Sequence, residues 1–102
     1  MSFSTPFTVN LFHFYKMPRI EGSLVEVNHY HPDGVLFVND YWSYHQLVYN
    51  VCYTMGMDQM EVCGLTLVWS DDNGVRRYTG IDNDSNVTVL YAYGFYYPEL
   101  YV

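Results

Sequence analysis

Residues 43–56, SYHQLVYNVCYTMG, decide the architecture. Ser43 stands three residues before Gln46, the spacing at which a hydroxyl and a side-chain amide cap the start of a helix reciprocally. Leu47, Val48, Val51, Cys52 and Met55 fall at i, i+1, i+4, i+5 and i+8, one apolar stripe at helical period. Gly56 closes the stretch as a residue able to take the left-handed conformation beyond a helix end. The pattern predicts a helix from Tyr44 to Met55 of about three turns, with one face to bury.

The flanks read as strands. FTVNLFHF, residues 7–14, is rich in β-formers and buries either Phe7, Val9 and Leu11 or the opposite face. Met17-Pro18-Arg19 breaks it. SLVEVNHY, residues 23–30, is a second strand with Leu24, Glu26, Asn28 and Tyr30 on one face and Val25, Val27 and His29 on the other. Pro32-Asp33-Gly34 is a turn, and GVLFV, residues 34–38, a further short strand. Beyond the helix, VCGLTLVW (62–69) is a strand, Ser70 to Gly74 a hairpin turn and VRRYT (75–79) the returning strand. Ile81 to Asn86 is polar and turn-like. VTVLYAY (87–93) is a last strand, or else a short helix leading into one, and the tail FYYPELYV offers another. Strand, strand, helix, strand, strand and a closing strand make a single α+β domain over residues 1–102. That is the order of a ubiquitin-like β-grasp, a mixed four- to five-stranded sheet crossed by one main helix. A ferredoxin-like split would need a second helix, and no other stretch has comparable support.

Composition sets the bounds on function. Half of the 102 residues are hydrophobic, one fifth aromatic and 15% charged, which argues for a packed core and against disorder. Eleven acids against four bases give a net charge of −7, so the surface repels phosphates and no direct nucleic-acid partner is expected. The first twenty residues show no basic start running into a long apolar stretch, and nothing approaches the ~20 apolar residues of a membrane span. An intracellular chain with no membrane partner is expected, with Cys52 and Cys63 as thiols. The acceptor patterns at Asn83 and Asn86 are then chance matches. No CxxC pair, nucleophile elbow or phosphate-binding glycine loop is present. Cys52 lies within an apolar stripe, where a thiol is inert. Neither an enzyme nor a cofactor is expected. His29 and His31, two apart on an extended segment, have the spacing of a metal pair that Asp33 or His13 would complete; ordinary polar strand positions are the simpler reading.

The stretch Trp69 to Asp84, WSDDNGVRRYTGIDND, carries four of the acids. Asp71 and Asp72 fall on a hairpin tip, and Asp82 and Asp84 follow the returning strand. The expectation is that both clusters face one side of the sheet, where a partner's Lys or Arg enters between them. The stretch resembles the acidic motif of the PB-one (Phox/Bem-one) interaction domains: an apolar strand, Asp-x-Asp-Gly, a short strand, then a second acidic cluster eight residues after the glycine. Trp69, Asp71-Asp72-Asn73-Gly74 and Asp82-Asn83-Asp84 follow that order, with Asn73 where the family usually has its second acid. The amino end resembles the divergent PB-one-like domain of plant Mutator-like transposases, in Phe7-Thr8 and in His13 to Lys16. The resemblance implies a front-to-back docking module, set in a nuclear protein, whose partner is a basic surface or another domain of the same type. The family's first-strand Lys is matched here by Asn10; Lys16 and Arg19 remain as a basic patch. Twenty aromatics exceed what so small a core buries, so an exposed aromatic patch for a partner or a homodimer is expected. Two other readings stay open: a domain that self-assembles by aromatic packing, and a ligand- or metal-binding domain using His13, His29 and His31.

Overall fold

The computed structural model describes residues 7–22, 24–59, 64–93 and 98–102. Seven strands form one mixed sheet: β1 (Phe7–Phe12), β2 (Ile20–Glu21), β3 (Leu24–Val25), β4 (Gly34–Val38), β5 (Leu65–Ser70), β6 (Arg76–Ile81) and β7 (Glu99–Tyr101). Their spatial order is β2-β3-β6-β5-β7-β1-β4. Two helices accompany them, α1 (Tyr44–Met55) and α2 (Asp84–Tyr93). The α+β class is as expected; among the described residues the sheet has seven strands where four to five were expected, and a second α-helix accompanies the main one.

α1 forms where its caps dictate. The Ser43 hydroxyl accepts from the Gln46 N–H, and the Gln46 side chain accepts from the Ser43 N–H. Gly56 ends the helix at φ +68°, and Met57 N–H returns to the Cys52 carbonyl. The stripe buries Leu47, Val51 and Cys52.

β1 realises the first of its two facings. Phe7, Val9 and Leu11 join Leu36, Val38, Leu65, Leu67, Ile81 and Leu100 in the main core, closed by Leu47 and Val51 of α1 and Val87 and Leu90 of α2. Phe12 points to the opposite face, where it stacks on Tyr101 with ring centroids 5.1 Å apart and packs with Val25, Val68 and Met17. The chain between β1 and β4 crosses this second face, anchored by Asn28, whose amide donates to the Tyr101 hydroxyl.

The remaining elements fall as follows. The antiparallel partner of β1 is β4, with Val9 opposite Leu36, and not the segment 23–30. Among the described residues of that segment only Leu24–Val25 belongs to the sheet, with Glu21, Ile20 and Arg77 as ladder partners. Residues 87–93 take the second of the two readings left open for them, a short helix, which begins at Asp84: the Asn83 side chain accepts from the Asn86 N–H, and Val87 and Leu90 share the inward face. The strand after the hairpin runs on to Ile81, which is buried. The tail supplies β7, which lies at the centre of the sheet, parallel to β1 and antiparallel to β5. Residues 62 and 63 of the expected fourth strand lie outside the described residues.

Candidate interaction surface

The β5–β6 hairpin closes through Asp71. Its Oδ1 accepts from the N–H groups of Asn73 (2.9 Å) and Val75 (3.0 Å), and its Oδ2 accepts from Arg77 Nε at 2.7 Å. Gly74 takes φ +77°, which completes the bend. The Arg77 guanidinium, and then the Val75 N–H, hold the Asp71 carboxyl below its ordinary pKa. Asp72 lies exposed beside it.

The second pair of acids is elsewhere. Asp82 follows the far end of β6, so the six residues Arg76–Ile81 separate it from the hairpin tip. At about 3.3 Å per residue that strand is roughly 17 Å long. The expected common patch of Asp71, Asp72, Asp82 and Asp84 is therefore not formed, since a strand between two bends puts them at opposite ends. Asp84 opens α2, and its Oδ1 accepts from the Tyr44 N–H at 2.7 Å, the first backbone donor of α1. One carboxylate thereby joins the starts of both helices, where the helix dipoles favour negative charge. The exposed Asp82 accepts from the Asn83 amide, and its own N–H donates to the Asn86 side chain at 3.2 Å.

A further acid belongs to this corner. Asp40, in the turn that leads from β4 to α1, acts with Asp84 on the Tyr91 hydroxyl, whose pKa rises to about 12 through burial first and then these two charges. That hydroxyl donates to the Trp42 carbonyl. Asp40, Trp42, Tyr44, Asp84 and Tyr91 thus share one corner of the molecule, with Tyr41 exposed beside Asp40. Asp40 lies alone in sequence between Asn39 and Tyr41, so no local charge pattern singles it out.

The bases are mostly occupied. Lys16 Nζ bonds Asp33 Oδ1 at 2.7 Å and sits 5.9 Å from the centroids of both the Tyr15 and the Tyr30 rings. Arg77 pairs with Asp71, and Arg76 with Glu99. Arg19 is the one base without an acidic partner among the described residues. It lines a shallow groove of about 310 Å³ with Lys16, Glu26, Asn28, His29 and Tyr30. The expected basic patch is thus half neutralised.

His29 and His31 are exposed, and among the described residues no group of three or more His, Cys, Asp or Glu stands together as a metal site. Cys52 is buried in α1; Cys63 lies outside the described residues. Among the aromatics, Phe14, Tyr15, Tyr30, Phe37, Tyr41, Tyr49, Tyr53 and Tyr78 are exposed, scattered over several elements. Tyr101 is fully buried, and Phe95, Tyr96 and Tyr97 lie outside the described residues. No described helix is long and apolar enough to cross a membrane.

The chain matches no known protein family, and no curated protein or solved structure is significantly similar to it.

Proposed function

We propose that the chain is a protein-interaction module that docks a cationic partner surface at the corner built by Asp40, Asp82 and Asp84. One observation carries the reading. Three of the four bases are neutralised by acids within the molecule, whereas Asp40 and Asp82 have no cationic partner among the described residues. The negative excess therefore sits where no internal pair consumes it, and the exposed Tyr41 beside it offers a ring face to an incoming Lys or Arg. Asp71, held by Arg77, leaves the docking set, and Asp72 remains an isolated acid at the hairpin tip.

The fold is read as a β-grasp. Its support is the order β4-β1-β7-β5-β6, with β1 and β7 parallel at the centre and α1 between the first hairpin and the second. The hairpin β2–β3 is then an addition outside β6, and α2 an addition before β7. The likeness of residues 69–84 to the PB-one acidic motif supports the docking reading, and the likeness at Phe7-Thr8 and His13 to Lys16 is the ground for a nuclear setting. With Arg19 as the one base without an acidic partner among the described residues, a foreign basic surface is a better partner than a second copy docked front to back.

A displayed random-peptide library panned on the domain should return Lys- and Arg-rich sequences. Their affinity should drop steeply as salt shortens the Debye length below about 10 Å. The double substitution Asp40→Asn and Asp82→Asn keeps the amide oxygens as acceptors and removes two charges, and it should abolish capture without lowering the melting temperature. Enrichment of neutral peptides, or unchanged binding by the double variant, would overturn the reading.

A further inference from the structure

The two ends of the sheet are built differently. At one end β2 is two residues long and carries Glu21. A very short, charged edge strand discourages pairing with another chain. At the other end β4 runs for five residues, GVLFV, with no charge and no proline. It pairs with β1 alone among the described residues, so one row of its N–H and C=O groups is left facing outward. Its inward residues Leu36 and Val38 are buried, while Val35 is 48% and Phe37 68% exposed on the face away from the helices. Two usual guards of an edge strand, a charged residue and a proline, are absent from its five residues.

We infer that β4 is the contact edge for a second copy of this chain, the two β4 strands pairing antiparallel about a two-fold axis at Leu36. The argument for a second copy is self-complementarity. Centred on Leu36, the ladder uses all five residues of each strand and sets Val35 of one copy opposite Phe37 of the other, twice. Such aromatic and β-branched pairs, with Cβ atoms about 4.5–5.5 Å apart, are among the favourable cross-strand neighbours. Five strand residues fall short of the roughly 800 Å² per partner of a stable interface, so the association is a concentration-dependent dimer and not a permanent one. The inference is separate from the docking reading, because it rests on Val35, Leu36 and Phe37 of β4 and on none of Asp40, Asp82 and Asp84.

Sedimentation velocity over a concentration series from about 10 µM to about 1 mM, the span that weak association covers, tests it. The expected result is a monomer that converts to a dimer within that series. Phe37→Lys, at an exposed position, should keep the melting temperature and leave the chain monomeric throughout. Mixing Val35→Cys chains with Phe37→Cys chains under mild oxidation should cross-link the two types faster than either cross-links with itself. A chain that stays monomeric at the highest concentration, a dimer that survives Phe37→Lys, or self-linking by Val35→Cys as fast as mixed linking would each overturn the proposal.

Discussion

Replacing Leu100 by Ala tests the least expected feature of the fold, the central place of the tail. Leu100 is wholly buried, with Leu11 of β1 and Leu67 of β5 in register on its two sides and the helices above. Strands on both flanks restrain the site from collapsing onto the space a missing isobutyl group leaves. The upper half of the range for buried Leu→Ala changes therefore applies, about 3–5 kcal/mol. For a domain of this size 1 kcal/mol moves the melting temperature by roughly 4–8 °C, so a fall of at least about 12 °C is expected. Urea unfolding followed by circular dichroism gives the free energy directly, with the slope unchanged if the denatured state is the same. Leu24→Ala is the control, at a half-exposed position of the short strand β3, and should stay within about 0.5 kcal/mol. A cost below about 1 kcal/mol at Leu100 would mean that the tail is peripheral and that β1 and β5 are neighbours by some other route.

Other outcomes follow from particular groups. Lys16 beside Asp33 and Arg77 beside Asp71 hold both carboxyls below the ordinary value of 3.8, so the stability they contribute is present above that pH and is lost as pH falls through their folded values; urea midpoints taken from about pH 6 down to about pH 2 should fall, and fall less in the double variant Asp33→Asn and Asp71→Asn. Burial pushes the Tyr91 and Tyr101 hydroxyls up to about 12, so ultraviolet titration should show two tyrosine hydroxyls ionising at about pH 12, with stability declining as pH rises beyond about 10. Gly56→Ala meets no neighbouring atom and is penalised by the backbone alone at φ +68°, so it should cost about 1 kcal/mol in the same urea assay. Asp84→Asn keeps an acceptor for the Tyr44 N–H and should leave stability nearly unchanged, whereas Asp84→Ala should cost about 1 kcal/mol, the ordinary loss of a helix cap.

The local code was legible where its signals are local. The capping box and Gly56 fix α1 at both ends, and Asn73-Gly74 fixes the second hairpin, because each depends on atoms within a few residues. What the sequence left open or misplaced is mostly the pairing between distant strands. SLVEVNHY alternates as a strand should, but alternation reports only that the chain is extended, not that a neighbour accepts its hydrogen bonds; beyond Val25 it crosses a face already occupied by Phe12 and Tyr101. VTVLYAY is rich in β-branched and aromatic residues, which favour strands. Its helical signal lay upstream, in the Asn83 cap and in the i, i+3, i+4 spacing of Val87, Leu90 and Tyr91. The tail reads as a strand, and Glu99–Tyr101 form it, but its position between β1 and β5 is set by neighbours far away in sequence.

The acids show why composition and motif alone mislead about a docking patch. A carboxylate in a turn has two uses, as a charge for a partner and as an acceptor for the backbone groups that a bend leaves unpaired. Asp71 serves the second use with both oxygens, two N–H groups on one and a guanidinium on the other. To present its charge to a partner it would have to give up three bonds that hold its own hairpin, so its place in an Asp-x-Asp-Gly-like motif is weak evidence of binding. Asp84 combines the two uses, since capping Tyr44 occupies one oxygen and leaves the other. Asp40 and Asp82 carry no cation, and their charge is not spent on any described base. Binding energy should therefore follow the acids that do least for the fold: Asp82, and Asp40, which no motif marks, ahead of Asp71, which matches the motif best.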